Sequence, residues 1–413
     1  MKKLGIAVYI IAIFACVFIS AGAAKAPEEY AEDIKYPTLI VQSEKGAYIY
    51  EDKPVTPSDF TVIEQIASRR INAPLDQKIE YMDECVFRGA DYKTAVKQCF
   101  PVLVRELDGI ADSIFIPPEN AKIEHSSGAF KIVSEKPGRR INEGKLYASI
   151  YCAFKFSGGG EVKAYTEAIQ PVITSDMLRA ELLPRSAYTT DFSSSTVERA
   201  HNVKLALSKI DGMIIPPGET VSFNAAVGER TEANGYKKAK IIVDGKYTDG
   251  YGGGVCQAST AVYNAALTAG LHCSANAHSI CPSYCPAGLD AMISSVSDLL
   301  ITNTTTHSVY ISTSVSGGKG TVKVFGEKPE YKIESESVVL DVEKYDEIEQ
   351  VDSEYKYFER GAISGSRLLV SLGKDGTKSE TYIKLYKDGK LVDRVKVREN
   401  TYKAVPQIIA IAP

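Results

Sequence analysis

Cys256 follows three consecutive glycines in Gly252-Gly253-Gly254-Val255-Cys256-Gln257. The residues after it have the pattern of a helix from Val255 to about Ala269, with an apolar stripe at Val255, Ala258, Val262, Ala265 and Ala269 and a stop at Gly270. Cys256 then falls in the first turn, where unpaired amide N–H groups and the positive end of the helix dipole favour an anion such as a thiolate. The glycines permit backbone shapes, and a close approach of substrate, that larger residues would block. First-turn amides can also stabilise an oxyanion. Gly253, Gly254, Gln257, Ser259 and Thr260 make up this helix-start environment and are the candidate substrate-binding residues around a thiol nucleophile.

A thiol nucleophile needs a base, and the chain has five histidines. His278 lies in Asn276-Ala277-His278-Ser279-Ile280, and Asp290 follows in Gly288-Leu289-Asp290-Ala291, a segment expected to lead into a strand. A cysteine at a helix start, a histidine on a following strand and an orienting carboxylate form the nucleophile, base and orienter of covalent catalysis. His272 and His307 are alternative bases, and Asp298 is an alternative orienter. On these residues alone the competing reading stays open: Cys256 as a packed small apolar residue and His278 as a structural one. Cys273, His278, Cys281 and Cys285 also cluster. Their Cys-x4-His-x2-Cys-x3-Cys spacing is not a paired zinc pattern, and a disulfide through Cys281–Cys285 or Cys273 is the nearer alternative. No metal ligands and no cofactor are assigned.

Three segments position these residues. Lys2 and Lys3 precede an uncharged apolar run from Leu4 to about Ala24, long enough to span a bilayer with the remainder outside. Residues 1–25 are therefore expected to anchor a single-pass protein in the cytoplasmic membrane, with cleavage near Ala21-Gly22-Ala23 and secretion as the alternative. Export leaves seven cysteines after Cys16, an odd number, so at least one thiol stays unpaired within a monomer. Residues 26–183 read as a mixed α and β domain: strands at Thr38–Val41 and Ala47–Tyr50, a helix over Tyr92–Leu107, and a strand at Ala129–Val133. Residues 188–327 form an α+β domain in which a helix opens at Ser195-Thr196 with Glu198 in its first turn. Residues 328–413 alternate as a β-rich module, with hairpin turns at Gly373–Gly376 and Lys387–Gly389. The expected fold class is α+β and multi-domain. At 413 residues the chain exceeds one ordinary core, and a net charge of -4 with no basic excess argues against nucleic acid as a partner.

The order of motifs from Asn202 to Gly326 resembles the VanW family: Pro217-Gly218-Glu219 with Ser222-Phe223-Asn224, Val227 to Thr231, Gly235-Tyr236, then Gly252 to Thr260, His278-Ser279 and Gly288 to Ala291. Upstream, roughly Phe60 to Pro171 looks like the peptidoglycan-binding domain that often precedes VanW domains. The tail, especially Thr377 to Pro413, looks like the glycine-patterned extracellular β module that often follows them. The resemblance implies a bacterial cell-wall protein whose partners are peptidoglycan stem peptides and glycan. It further implies L,D-transpeptidation, with Cys256 attacking the carbonyl after the third stem residue, His278 moving the proton and Asp290 orienting His278. A Cys-dependent peptidase and a non-catalytic wall-binding scaffold are the alternatives. The chain departs from the family pattern at Asn276-Ala277 and at Cys285, which bears on substrate contacts more than on the nucleophile.

Overall fold

A computed structural model of the chain describes residues 38–43, 46–54, 68–126, 128–243 and 246–413. The apolar run from Leu4 to Ala24 lies outside them. Among the described residues no helix is long and apolar enough to cross a membrane. Helices and strands are mixed throughout, and the C-terminal segment is built of strands.

The chain divides into two units, one running to Ala121 and resuming over Ser134–Thr174, the other taking Lys122–Val133 and Ser175–Pro413. Boundaries were expected near Leu183 and at Glu327–Lys328, and the segments after Leu183 fall together in the second unit. One hairpin of the expected first domain, Lys122–Ser126 paired with Ala129–Val133, also packs with the second unit. On its half-buried face His125 sits 3.1 Å from the Asp211 carboxylate, and Phe130 meets Tyr310 and Phe325 edge-on.

In the first unit, helices Leu75–Phe87, Tyr92–Cys99, Pro101–Ile114 and Glu143–Ser157 close over a core in which Phe100 stacks on Phe154 at 4.3 Å. The single helix expected over Tyr92–Leu107 is two. Pro101 brings no N–H and its ring clashes with a preceding helical turn, so it ends the first helix and begins the second.

The second unit is built on an antiparallel sheet in the order Leu183–Asp191, Lys319–Gly326, Val309–Ser316, Met213–Ile215. Helices Val197–Ile210 and Val255–Thr268 pack with it. From Val255 to Leu267 every residue is buried except Cys256. Because this helix is enclosed on all sides, its position is fixed by packing around its whole circumference. A small sheet of His272–Ser274, Leu300–Thr302 and Thr220–Ser222 flanks it.

Two three-stranded sheets complete the C-terminal module: Lys332–Glu343, Gly376–Lys387 and Lys390–Tyr402, and Glu347–Val351, Gln407–Ile411 and Arg367–Ser371. The turn after Lys387 is the expected hairpin, with Asp388 and Gly389 both at positive φ. The Gly373–Gly376 turn is not one. The strand before it pairs with Gln407–Ile411 and the strand after it with Lys332–Glu343, so the chain changes sheets there.

Candidate active site

The glycine loop ends on Gly254, which caps the helix at φ +106°; a Cβ there would lie 3.0 Å from both Arg199 and Val203. A side chain there would have to push into the Val197–Ile210 helix, against both the Arg199 backbone carbonyl and the Arg199 and Val203 side chains. Asn202, fully buried on that helix, donates to the carbonyls of Lys237 and Gly253 and accepts from the Lys237 N–H, tying loop and helix together. Val255 and Gln257 spend their N–H groups on the Gly252 and Gly254 carbonyls. Cys256 emerges partly exposed, and its thiol points at the Ile293 carbonyl, 3.5 Å away.

The His278 ring lies near enough to this thiol for the two side chains to interact electrostatically, while the thiol's own hydrogen bond is to the Ile293 carbonyl. Nδ1 of His278 and its backbone N–H both meet Oδ2 of Asp290, at 2.6 and 2.7 Å. Nε2 is therefore the nitrogen left for the thiol. Burial alone would lower the His278 pKa, but the bonds to Asp290 and Cys256 outweigh it and push the value up to about 9. Asp290 is fully buried, which would raise its pKa, yet the bonds from His278 and Tyr402 hold it below the usual carboxylate value. The histidine does not sit on a strand as expected. The segment is irregular, joined to the 290s by an Asn276–Met292 bridge, and its geometry is set by the helix: Ser259 donates to the Ala291 carbonyl, Thr260 accepts from the Ala291 N–H, and Asn264 donates to the Leu289 carbonyl.

Three of the candidate substrate-binding residues have their polar groups turned inward. Gln257, Ser259 and Thr260 are buried with their polar groups engaged inside the protein, Gln257 on Thr190 and the Asp191 carbonyl. They brace the helix because it is enclosed on every side. Gly253 and Gly254 are likewise packed, Gly253 against the backbone of Ala239 and Lys240. The alternatives to the pair go elsewhere. His272 is an exposed strand residue, His307 bonds Glu327, and Asp298 receives the Ser222 hydroxyl and the Asn224 N–H. The seven described cysteines are free thiols. Tyr284 escaped the sequence reading. Its hydroxyl is buried near the Thr260 hydroxyl, its ring lies edge-on to His278 at 6.4 Å, and its hydroxyl pKa is raised first by burial and then by the nearby Cys256.

Residues 198–325, which include Cys256, His278 and Asp290, match the family model of VanW like protein. The chain carries a VanW-like domain. Residues 90–162 match the peptidoglycan binding domain model PG_binding_4, and residues 343–412 match the G5 domain. Among curated proteins, the chain is 34% identical over 194 residues to "Uncharacterized protein YoaR" of Bacillus subtilis, covering 46% of this chain and 62% of that one. It is 37% identical over 65 residues to "Vancomycin B-type resistance protein VanW" of Enterococcus faecalis, covering 16% of this chain and 24% of that one. The chain thus spans less than two thirds of either relative. Among solved structures, the IgA1 protease G5 domain is 21% identical, with 21% of this chain and 94% of that chain covered and a TM-score of 0.15. The crystal structure of HP0197-G5 is 19% identical, with 20% and 99% covered and a TM-score of 0.13. The combination of VanW-like, peptidoglycan-binding and G5 domains supports a cell-wall-associated function.

The VanW-like match ends at Phe325, but the contacts of its buried carboxylate do not. Tyr402 donates to Oδ1 of Asp290 at 2.5 Å and accepts from the Gly288 N–H at 2.7 Å. Arg398 reaches the Asp290 carbonyl, its Oδ1 at 3.5 Å and the Gly288 carbonyl at 2.7 Å. Gly288 stands at φ +82° with Thr381 where a Cβ would project, so the loop and the β module are closely apposed.

Proposed function

We propose that the protein is a cysteine-dependent L,D-transpeptidase of peptidoglycan, extracytoplasmic and held at the membrane by its N-terminal apolar segment. The observation that carries the reading is the Cys256–His278–Asp290 relay: a thiol at the start of a buried helix, an imidazole within its reach, and a buried carboxylate fixing that imidazole. With a pKa near 9, His278 is protonated at neutral pH, so it stabilises a thiolate beside it and is ready to act as an acid. Cys256 sulfur attacks the carbonyl of the third stem residue. The C–N bond to the terminal D-residue breaks as His278 protonates the leaving amine, and a thioester remains. The side-chain amine of a second stem then attacks the thioester and gives its proton to His278, which leaves a 3-3 cross-link and a restored thiolate. The Cys256 N–H and the Tyr284 hydroxyl are the donors suited to the oxyanion formed in each half. The peptidoglycan-binding and G5 segments hold the enzyme to the wall.

The test is incubation of the protein and its Cys256→Ala form with disaccharide-tetrapeptides, followed by mass spectrometry. Dimers made only with Cys256 present are expected. Tripeptides without dimers would instead identify a peptidase that uses water as acceptor. Absence of either product from a folded protein that binds the substrate would leave the scaffold reading.

A further inference from the structure

The Asp290 carboxylate divides its work between two sources. Oδ2 takes both donors of His278, from ring and backbone. Oδ1 takes the Tyr402 hydroxyl and faces Arg398, both on the strand Lys390–Tyr402 of the C-terminal module. Neither residue belongs to the VanW-like match. A buried carboxylate held on one oxygen only can turn about its last side-chain bond; one held on both is fixed. The loop carrying it is clamped by the same module: Thr381 and Arg398 donate to the Gly288 carbonyl, Ser337 donates to the Ala287 carbonyl, and the Lys403 N–H donates to the Ser279 carbonyl, one residue beyond His278. Arg398 also lies over the Tyr263 ring at 4.9 Å, anchoring its guanidinium on the buried helix.

We propose that the C-terminal β module completes the catalytic constellation, with Tyr402 and Arg398 as positioning residues that pin Oδ1 of Asp290 so that Oδ2 holds His278 towards Cys256. This rests on the reading of Cys256 and His278 as nucleophile and base. It makes the module part of the active site, in addition to any wall contact it makes.

The decisive measurement does not need turnover. The His278 ring titration, followed by NMR in the intact protein and assigned with His278→Gln, is expected to have its midpoint near 9 in the unaltered chain. In Tyr402→Phe, Oδ1 loses its pin, the carboxylate is free to turn and Oδ2 holds the imidazolium less firmly, so the midpoint falls by roughly half to one unit. Thr381→Val removes a clamp on the same loop without touching Asp290 and leaves the midpoint in place. With substrate, Tyr402→Phe lowers kcat about tenfold at unchanged KM. If Tyr402→Phe does not fold, Arg398→Lys keeps the charge, loses the fork to Asp290 and Gly288, and must also shift the midpoint. A His278 midpoint in the folded variant that coincides with the unaltered one overturns the proposal. Absence of product from the unaltered protein would sink the transpeptidase reading alone, since the ring titration is read independently of it.

Discussion

At the scale of the residue, the Asp290 carboxylate is held on one oxygen by His278 and on the other by Tyr402, from widely separated parts of the chain. Cys256, His278 and Asp290 stood out because a glycine loop, a helix start and two later polar residues form an ordered chemical pattern. Tyr402 carried no such signal: it lies 112 residues from Asp290, at the end of a strand, and strand pairing alone brings it back. Tyr284 looked like one aromatic residue in a proline-rich loop, and only the burial of its hydroxyl beside His278 and Cys256 distinguishes it. That hydroxyl makes a discriminating prediction. Tyr284→Phe removes only that hydroxyl and should change stability by no more than about 1 kcal/mol, yet slow acylation by about 10- to 100-fold if the hydroxyl serves the oxyanion. A variant as active as the parent would remove Tyr284 from the mechanism.

The two titrations give a second prediction at this scale. His278 is raised from 6.5 to about 9, so the stability it contributes is fully present below pH 6.5 and lost as pH rises through 9. Asp290 is lowered from 3.8, so its contribution is present above 3.8 and lost as pH falls through its folded value. The Tm gap between the parent and His278→Gln should therefore be widest near pH 5–6 and shrink towards pH 9.5. At most about 3 kcal/mol is at stake. A gap constant from pH 6 to 9.5 would contradict the charge assignment.

At the scale of the element, the Val255–Thr268 helix shows what periodicity conveys and what it hides. Its limits were readable from Gly254 and Gly270, and its apolar stripe marked a buried face. The stripe could not reveal that the opposite face is buried as well, because Gln257, Ser259, Thr260 and Asn264 are polar yet are engaged by carbonyls and hydroxyls inside the protein. A helix enclosed on all sides has little freedom to rotate or slide, and that rigidity is what Cys256 requires. Its weak point is the cap. Gly254→Ala forces a Cβ into the Val197–Ile210 helix at a positive φ that L-residues rarely adopt. The cost should be about 1–3 kcal/mol, seen as a lower urea midpoint, with Cys256 alkylation slowed in the fraction that folds. Unchanged stability would mean that the loop relaxes freely and that the glycine serves only substrate access.

At the scale of the whole molecule, the order of segments along the chain is not the order of cooperative units. The hairpin Lys122–Val133 lies in sequence inside the first domain, where alternation predicted its strand but could not say which core it would serve. Its attachment comes from residues that meet it from far downstream: Phe130 packs on Tyr310 and Phe325, His125 meets Asp211, and the Gly128 carbonyl accepts the Ser312 hydroxyl. These contacts lie on the sheet that supports the Cys256 helix, so the consequence of weakening them belongs to the second unit. Phe130→Ala removes a half-buried ring and should cost about 1.5–3 kcal/mol there. Hydrogen exchange resolves where the cost falls. Faster exchange should appear in Val309–Ser316 and Lys319–Gly326, while the helices Pro101–Ile114 and Glu143–Ser157 of the first unit keep their protection. If the loss were instead confined to those helices, the hairpin would belong energetically to the domain that encodes it, and the sheet behind the Cys256 helix would be complete without it.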